Sequence, residues 1–122
     1  MEGKLQQPML EDICKSIRID VLKMMHKSFS SHIGGCYSVI EILVTLYFKI
    51  LNVDPKNLND NERDILLLSK AHSSAALYAI LAEKQFFPKE YLDTYYQDDG
   101  KLPGHLNKKT APGIEFSFGS LG

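Results

Sequence analysis

Three of the four histidines lie in turns beside glycine or serine, where an imidazole ring can meet a ligand. His32 comes shortly before a pair of glycines, His72 is followed by two serines, and His105 comes directly after Gly104. An imidazole donates a hydrogen bond and moves a proton near neutral pH, so histidines in such turns indicate anion binding or acid–base chemistry. Each lies more than thirty residues from the next. That spacing, without a local carboxylate, does not predict a zinc site.

The remaining polar candidates favour structural roles. His26 falls within a predicted helix beside Met24 and Met25, and we interpret it as structural. Ser73 and Ser74 stand at the start of another predicted helix, so they are better candidates for the helix N-cap than for a nucleophile. For any single turn histidine, contact with nearby backbone is as reasonable an interpretation as function. The occurrence of all three in such turns favours function.

The element that leads to His32 is a predicted amphipathic helix over about residues 10–29. A loop with paired glycines, residues 28–35, is predicted to end it. Its apolar residues recur every three or four positions and so form one face. That face comprises Leu10, Ile13, Cys14, Ile17, Val21 and Met24.

The helix after His32 is predicted to begin at Ser38. Ser38 and Glu41 have the spacing of a capping box, in which each side chain accepts a hydrogen bond from the other residue's amide. Tyr37 and Ile42 stand where a hydrophobic staple would form. Residues 39–51 are then apolar almost all round, which predicts burial on several sides, by the same domain or by a partner.

A short strand followed by a helix is predicted to position His72. Residues 65–68 form a continuous apolar run typical of a buried parallel strand, and residues 75–84 have the composition of a strong helix former. The end of such a strand, facing a helix N-terminus, is where α/β proteins bind anions. A further helix is predicted from Pro88 to about Tyr96. The predicted fold class is therefore α/β, helix-rich with one or more parallel strands.

The C-terminal residues 100–122 form a glycine-rich segment that contains His105 and five glycines. Apolar residues alternate along its end with small or polar ones. Glycines allow a backbone to approach a ligand closely, and loops commonly carry binding residues. We therefore predict that this segment is a loop that contacts a ligand or another chain.

Composition limits the classes of function. The 122 residues allow one domain at most, and the net charge of −1, without a basic cluster, predicts binding to neither nucleic acid nor a membrane surface. No apolar stretch approaches the roughly 20 residues of a membrane span. Cys14 and Cys36 fit no metal-ligand spacing, and reduced thiols in a cytoplasmic protein are the simplest interpretation.

The order of these turns resembles the start of the cofactor-binding region of transketolases, most of all the N-terminal subunit of split transketolases. The resemblance covers nearly the whole chain from about Ile13, in the family's order and spacing. It is carried by HIGGCYSVIEIL from His32, RDILLLSKAHSSAALYAILAEK from Arg63, PGHLN from Pro103 and PGIEFSFGSLG from Pro112.

This resemblance implies an enzyme that uses thiamine diphosphate and Mg²⁺ to transfer a two-carbon ketol unit between sugar phosphates, as in the pentose phosphate pathway. Residues 1–122 would be the N-terminal part of the thiamine-diphosphate-binding domain, in a single partial domain. The catalytic positions implied by the motifs, near the donor sugar, are His32 and His105. The cofactor-binding positions they imply are His72, Gly119, Ser120 and Leu121.

The resemblance also implies a partner. In the family the metal-binding motif lies beyond the Gly-Ser-Leu-Gly stretch with which this sequence ends, and the glutamate that activates the cofactor belongs to a separate domain. We therefore expect the metal ligands to lie outside this chain. We also expect the chain to be inactive without a C-terminal part or a second subunit, with which it would form an oligomer.

Two alternatives remain at this stage. The chain could be a non-catalytic interaction or assembly subunit derived from a transketolase, although such a module has no need of three turn histidines. It could also belong to a related thiamine enzyme such as deoxyxylulose-phosphate synthase. The His-Ile-Gly-Gly and Pro-Gly-His segments are more similar to transketolase.

Overall fold

The computed structural model of the protein describes residues 7–29, 33–97, 100–103 and 111–114. The α-helices in these residues are α1 (Gln7–Ser28), α2 (Ile33–Thr45) and α3 (Ser74–Glu83). A π-helical turn, Leu46–Ile50, continues α2, and 3₁₀ segments cover Ala71–Ser73 and Lys89–Thr94. The three α-helices pack against one another in all pairs.

Helix α1 confirms the predicted amphipathic helix. Ile17 and Val21 are completely buried, and Ile13 is partly buried against the same core. Burial of an aliphatic side chain contributes about 1.5–3 kcal/mol, so this face fixes α1 against α2 and α3. The helix ends at Ser28, and Phe29 takes a left-handed φ of 56°, a conformation common just after a helix C-terminus.

Helix α2 begins at Ile33 rather than at Ser38, so the predicted capping box is wrong. The Ser38 hydroxyl donates to the carbonyl of Gly35 at 2.9 Å, as a serine inside a helix often does. Glu41 forms an ion pair with Arg18 of α1. The paired glycines thus belong to the first turn of α2 and not to the preceding loop.

The predicted hydrophobic staple does not form either. The hydroxyl of Tyr37 donates to the carbonyl of Arg18 at 2.8 Å, and the Arg18 guanidinium lies over the Tyr37 ring. Ile42 is 61% exposed. Tertiary contacts with α1 therefore take the place of the local contacts that the sequence spacing predicts.

The apolar run over residues 39–51 is buried on one side only in this structure. Ile42 and Ile50 lie on the exposed side of the run, and its buried residues are Ile40, Leu43, Val44 and Tyr47. Helix α2 and the π-helical turn after it together form a continuous helical stretch of 18 residues, Ile33–Ile50, with a mean hydropathy of 1.5. By length and composition it could cross a membrane, contrary to our expectation. Core helices of soluble proteins have the same properties.

The predicted parallel strand at residues 65–68 does not form. These residues have no regular secondary structure, and their burial alternates, with Leu68 buried and Ile65 and Leu67 exposed. A strand needs a neighbour that satisfies its backbone hydrogen bonds, and none of the described segments pairs with this one. The described residues confirm the helix-rich part of the predicted fold class, but not the parallel strand.

Helix α3 lies at the centre of the structure and confirms the helix predicted after His72. Every residue from Ser74 to Ala82 is buried, and α3 contacts both other α-helices. The 3₁₀ helix after Pro88 confirms the last predicted helical segment. Beyond it, Leu102, Ala111 and Ile114 are also buried, so parts of the glycine-rich segment pack on the core.

The carboxylate of Asp20 in α1 loses contact with solvent without gaining a close partner in exchange. Its Oδ2 atom is buried and accepts no hydrogen bond from the described residues. The nearby Lys89 Nζ lies 2.5 Å from Glu83 Oε2 but 3.8 Å from Asp20 Oδ2. Burial raises the pKa of the Asp20 carboxyl, and Lys89 offsets this effect only in part.

We predict that Asp20→Asn stabilises the protein by about 1 kcal/mol at neutral pH, because a neutral amide avoids the cost of burying a charge. Folding raises the pKa of the Asp20 carboxyl above its ordinary value of 3.8. The wild type is therefore most stable relative to the variant below pH 3.8. It loses this stability as the pH rises through the folded-state pKa. Urea unfolding at neutral pH and near pH 3 measures the difference. An equal advantage of the variant at both pH values would contradict this prediction.

Candidate functional site

The candidate site is built on the 3₁₀ turn Ala71–Ser73, which contains His72 and is followed directly by α3. The turn is closed by a hydrogen bond from the Ser73 amide to the Lys70 carbonyl at 2.9 Å. His72 is half-buried, whereas Ser73 is completely buried. The predicted position of His72 before a helix N-terminus is therefore confirmed, although the strand expected before it is missing.

The N-terminus of α3 is turned toward α2. Ser73 holds the N-cap position, as predicted, but its side chain makes no capping hydrogen bond. The amides of Ala75 and Ala76 donate to the thiol of Cys36, which is completely buried. Burial raises the pKa of this thiol, so Cys36 is a neutral partner. The N-terminus of α3 thus contacts α2 through a neutral thiol.

Lys70 connects the turn of His72 to the first turn of α2. Its ammonium donates to the Ser38 hydroxyl at 2.9 Å and lies 3.4 Å from the Gly35 carbonyl. Helix α2 begins one residue after His32 in the sequence. The contact therefore joins the first turns of α2 to the residue that stands two positions before His72.

Gly35 makes this close approach possible. A Cβ atom at this position would lie 3.2 Å from Ser73 Oγ and 3.5 Å from Lys70 Cε. The first distance is tighter than an ordinary contact, whereas the second is an ordinary van der Waals distance, so a larger residue would require the Ser73 hydroxyl to shift by a few tenths of an ångström. Of the paired glycines, Gly35 therefore serves the packing of α2 against the turn of His72, whereas a Cβ atom at Gly34 would meet nothing within 4 Å.

The residues around this turn fit an anionic group such as a diphosphate. Ser73 Oγ is buried without a hydrogen-bond partner among the described residues. The described residues also include no carboxylate paired with Lys70, whose hydrogen bonds go to neutral oxygens. The Lys70 ammonium and the Ser73 hydroxyl both lie near Gly35, and with the imidazole of His72, the residue between them in sequence, they are donors suited to phosphate oxygens.

Most of the predicted site residues lie outside the described residues. Of the predicted site residues, only His72 lies within the described ranges. The structure therefore places it relative to none of the other predicted residues. His26 is exposed on α1. In the described ranges, no group of three or more His, Cys, Asp or Glu side chains could hold a metal ion. The predicted residues outside the described ranges are His32, His105, Gly119, Ser120 and Leu121.

Sequence reasoning did not identify Lys70 or Tyr78 as residues of interest. The Tyr78 hydroxyl donates to the carbonyl of Pro103 at 2.8 Å, close in sequence to His105. Both side chains contact segments that are distant in sequence, so no local pattern marks them. The available signal was their position, since Lys70 comes two residues before His72 and Tyr78 lies on the helix after it.

The comparisons with known proteins agree with the resemblance seen in the sequence. The family model of the transketolase thiamine diphosphate binding domain matches residues 9–122. An apulose-4-phosphate transketolase subunit from Actinobacillus succinogenes is 43% identical over 114 residues, which are 93% of this chain and 41% of that protein. The 6-deoxy-6-sulfo-D-fructose transketolase subunit SqwG from Clostridium sp. is 42% identical over 96% of this chain and 42% of its own length. The chain therefore spans about two fifths of each relative.

A solved structure shows the same fold. Transketolase from Leishmania mexicana superposes with a TM-score of 0.86 over 93% of this chain and 17% of that chain, at 24% sequence identity. At this identity the likeness shows the fold alone, which is that of part of a transketolase. Because the family model of the thiamine diphosphate binding domain matches residues 9–122, the chain belongs to the transketolase family.

Proposed function

We propose that this chain binds the diphosphate end of thiamine diphosphate and forms part of a transketolase, which transfers a two-carbon ketol unit from a ketose to an aldose. The observation that supports this proposal is the group of donors at the turn of His72, within a chain that matches the family's cofactor-binding domain. When bound, thiamine diphosphate supplies carbanion stabilisation, and the protein supplies binding and orientation.

The chain's own residues would bind the cofactor and handle protons. His72 would donate a hydrogen bond to the diphosphate, and Lys70 would add positive charge while it holds α2 in place. His32 and His105 are proposed to contact the hydroxyl and carbonyl oxygens of the donor sugar, where an imidazole can donate a hydrogen bond or relay a proton. The backbone at Gly119, Ser120 and Leu121 would lie against the cofactor. Mg²⁺ would take its ligands from outside this chain.

The proposed donor is a ketose that carries an anionic group. One relative is named for apulose 4-phosphate and the other for 6-deoxy-6-sulfo-D-fructose, so a phosphate stands in one name and a sulfonate in the other. A phosphate and a sulfonate both offer oxygens to cationic and N–H donors. We therefore propose this wider substrate class and do not restrict the chain to the sugar phosphates of the pentose phosphate pathway.

The proposed partner is the remainder of the transketolase, as a C-terminal part or a second subunit. The two relatives are named as subunits, and this chain spans about two fifths of each. The described surface also exposes large aliphatic side chains that a partner could cover, among them Ile42, Ile50, Ile65 and Leu67. A cytoplasmic location is proposed because Cys14 and Cys36 are free thiols.

Reconstitution tests this function. The chain would be combined with a polypeptide that supplies the pyrimidine-binding domain and the metal-binding motif, together with thiamine diphosphate and Mg²⁺. Ketol transfer would be measured with one phosphorylated and one sulfonated ketose as donors. We expect turnover in the complete mixture and none when either polypeptide or the cofactor is left out. A complex that forms and binds cofactor but turns over neither donor would contradict the proposal.

A further inference from the structure

The segment of residues 65–68 leaves its backbone without hydrogen-bond partners. No backbone N–H or carbonyl group of this segment takes part in a hydrogen bond with any part of the chain that the structure describes. Two of its side chains are also exposed, Ile65 to 46% and Leu67 to 60%. An edge of unpaired N–H and C=O groups is a template on which another extended chain can pair.

The exposure of residues 65–68 alternates along the sequence. Leu66 is half-buried against the core, and Leu68 is buried. The residues before each of them, Ile65 and Leu67, are exposed. Successive side chains of an extended chain point to opposite sides, so this alternation is that of a strand with one face on the core. A ladder of backbone hydrogen bonds requires a second strand, and this neighbour is what the segment lacks among the described residues.

An apolar groove on the helical stretch before this segment offers a second contact surface. Ile42, Leu46 and Ile50 are spaced by four residues and line a shallow groove of about 390 Å³. Ile42 is 61% exposed and Ile50 is 59% exposed. Side chains four residues apart lie on the same face of a helix, so these three residues form one continuous apolar stripe.

A pair of hydrogen bonds joins the groove to the unpaired segment. The amide of Asn52 donates to Asp64 Oδ2 at 2.7 Å, and the amide of Asp64 donates to the Asn52 carbonyl at 2.8 Å. Asn52 follows Ile50 by two residues, and Asp64 directly precedes Ile65. The end of the groove and the start of the unpaired segment therefore lie next to the same pair of residues, so one partner can contact both.

We propose that residues 65–68 and this groove together form a docking surface for an extended apolar segment of the polypeptide that supplies the rest of the transketolase. The partner segment would form backbone hydrogen bonds with residues 65–68, while the polypeptide around it covers Ile42, Ile50 and Leu67. The proposal deepens the proposed function and rests on it, because it names the surface by which this chain meets its proposed partner.

The unpaired backbone distinguishes this occupant from two others. A lipid bilayer offers no hydrogen bonds to free backbone groups, although Ile33–Ile50 is long and apolar enough to cross one. A second copy of the chain offers the same short segment, whereas a typical strand has about 5–6 residues. This chain covers 41% and 42% of its two relatives. More than half of their length therefore remains to supply a longer partner strand.

Amide hydrogen exchange, followed by mass spectrometry, tests the docking surface. The free chain would be compared with the chain in phosphatidylcholine vesicles and with the chain bound to the partner polypeptide of the reconstitution. We expect the amides of residues 65–68 to exchange rapidly in the free chain at every protein concentration, and also with vesicles. In the assembly, exchange of the amides that donate to the partner strand should slow about 100-fold.

Leu67→Glu and its matched control Leu22→Glu test the side chains of the surface. Leu22 is 53% exposed on α1 and does not line the groove. Because both leucines are more than half exposed, neither variant should change the melting temperature of the free chain by much. We expect Leu67→Glu to raise the Kd of the assembly about 10- to 100-fold, since it places a charge in an apolar contact. Leu22→Glu should leave this Kd unchanged.

Several results would overturn the docking surface. An assembly in which residues 65–68 exchange as fast as in the free chain would place the partner elsewhere. Protection that grows with the concentration of the chain alone would make a second copy the occupant, and protection by vesicles would make it a membrane. A Kd that Leu67→Glu leaves unchanged, or that Leu22→Glu raises equally, would also contradict the proposal.

The same experiment separates this proposal from the proposed function. An assembly that turns over a ketose without protection of residues 65–68 contradicts the docking surface alone. Protection of residues 65–68 in an assembly without turnover supports the docking surface and contradicts the proposed function. If the chain forms no assembly with the partner polypeptide, both proposals fail.

Discussion

Replacing Gly100 by alanine is expected to destabilise the protein by about 3 kcal/mol. A Cβ atom at this position would overlap the carbonyl oxygen of Thr94 and lie 3.0 Å from that of Gln97. Both are backbone atoms, so no change of rotamer relieves the overlap. The same carbonyls accept hydrogen bonds from the amides of Gln97 and Gly100 at 3.2 and 3.0 Å, and a backbone shift would weaken both. Urea unfolding followed by circular dichroism measures the loss.

Gly34→Ala is the matched control for this prediction. Gly34 lies in α2, and a Cβ there would meet nothing within 4 Å. Alanine is more favourable than glycine in a helix by up to about 1 kcal/mol, so this variant should be as stable as the wild type or slightly more stable. Equal free energies of unfolding for the two variants would show that Gly100 does not pack against the carbonyls of Thr94 and Gln97 as described.

Replacing His72 by alanine is expected to weaken binding of thiamine diphosphate by the reconstituted enzyme about 10- to 100-fold. The reason is the loss of a hydrogen bond to a charged group, on the proposal that the imidazole contacts the diphosphate. His72 is half-buried, and its removal leaves Ser73 and α3 in place, so the free energy of unfolding should change by less than about 1 kcal/mol. Isothermal titration calorimetry measures the affinity.

His26→Ala provides the comparison for His72→Ala. His26 is exposed on α1, and removal of its ring should leave cofactor affinity at the wild-type value. If both variants bind the cofactor as the wild type does, His72 has no contact with the diphosphate. If both lose affinity equally, the effect does not arise at the turn of His72.

Elements that depend on neighbouring residues could be predicted from the sequence. The spacing of Leu10, Ile17 and Val21 shows the buried face of α1, because a helix brings every third or fourth residue to one side. The alanine-rich composition after His72 predicts α3 for an equally local reason. Pro88 predicts the helical segment that follows it, although it occupies the N-cap with an extended ψ of 143° rather than the first helical turn.

Elements that depend on distant residues could not be predicted in the same way. Ser38 and Glu41 have the spacing of a capping box, yet their partners are Lys70 and Arg18. The apolar run at residues 65–68 is typical of a strand, but a strand also depends on a paired neighbour. The same reasoning applies to the site. Glycine and serine beside His72 mark its turn, whereas nothing near Lys70 or Tyr78 in the sequence reveals their contacts.

Native mass spectrometry of the chain with thiamine diphosphate and Mg²⁺, alone and with a partner polypeptide, tests most directly whether it is the cofactor-binding part of a divided transketolase. For the chain alone we predict a 13.8 kDa species with little or no bound cofactor. For the mixture we predict a larger assembly that carries thiamine diphosphate. A mixture in which the chain remains a separate 13.8 kDa species without cofactor, or an isolated chain that binds the cofactor fully, would contradict this view of the protein.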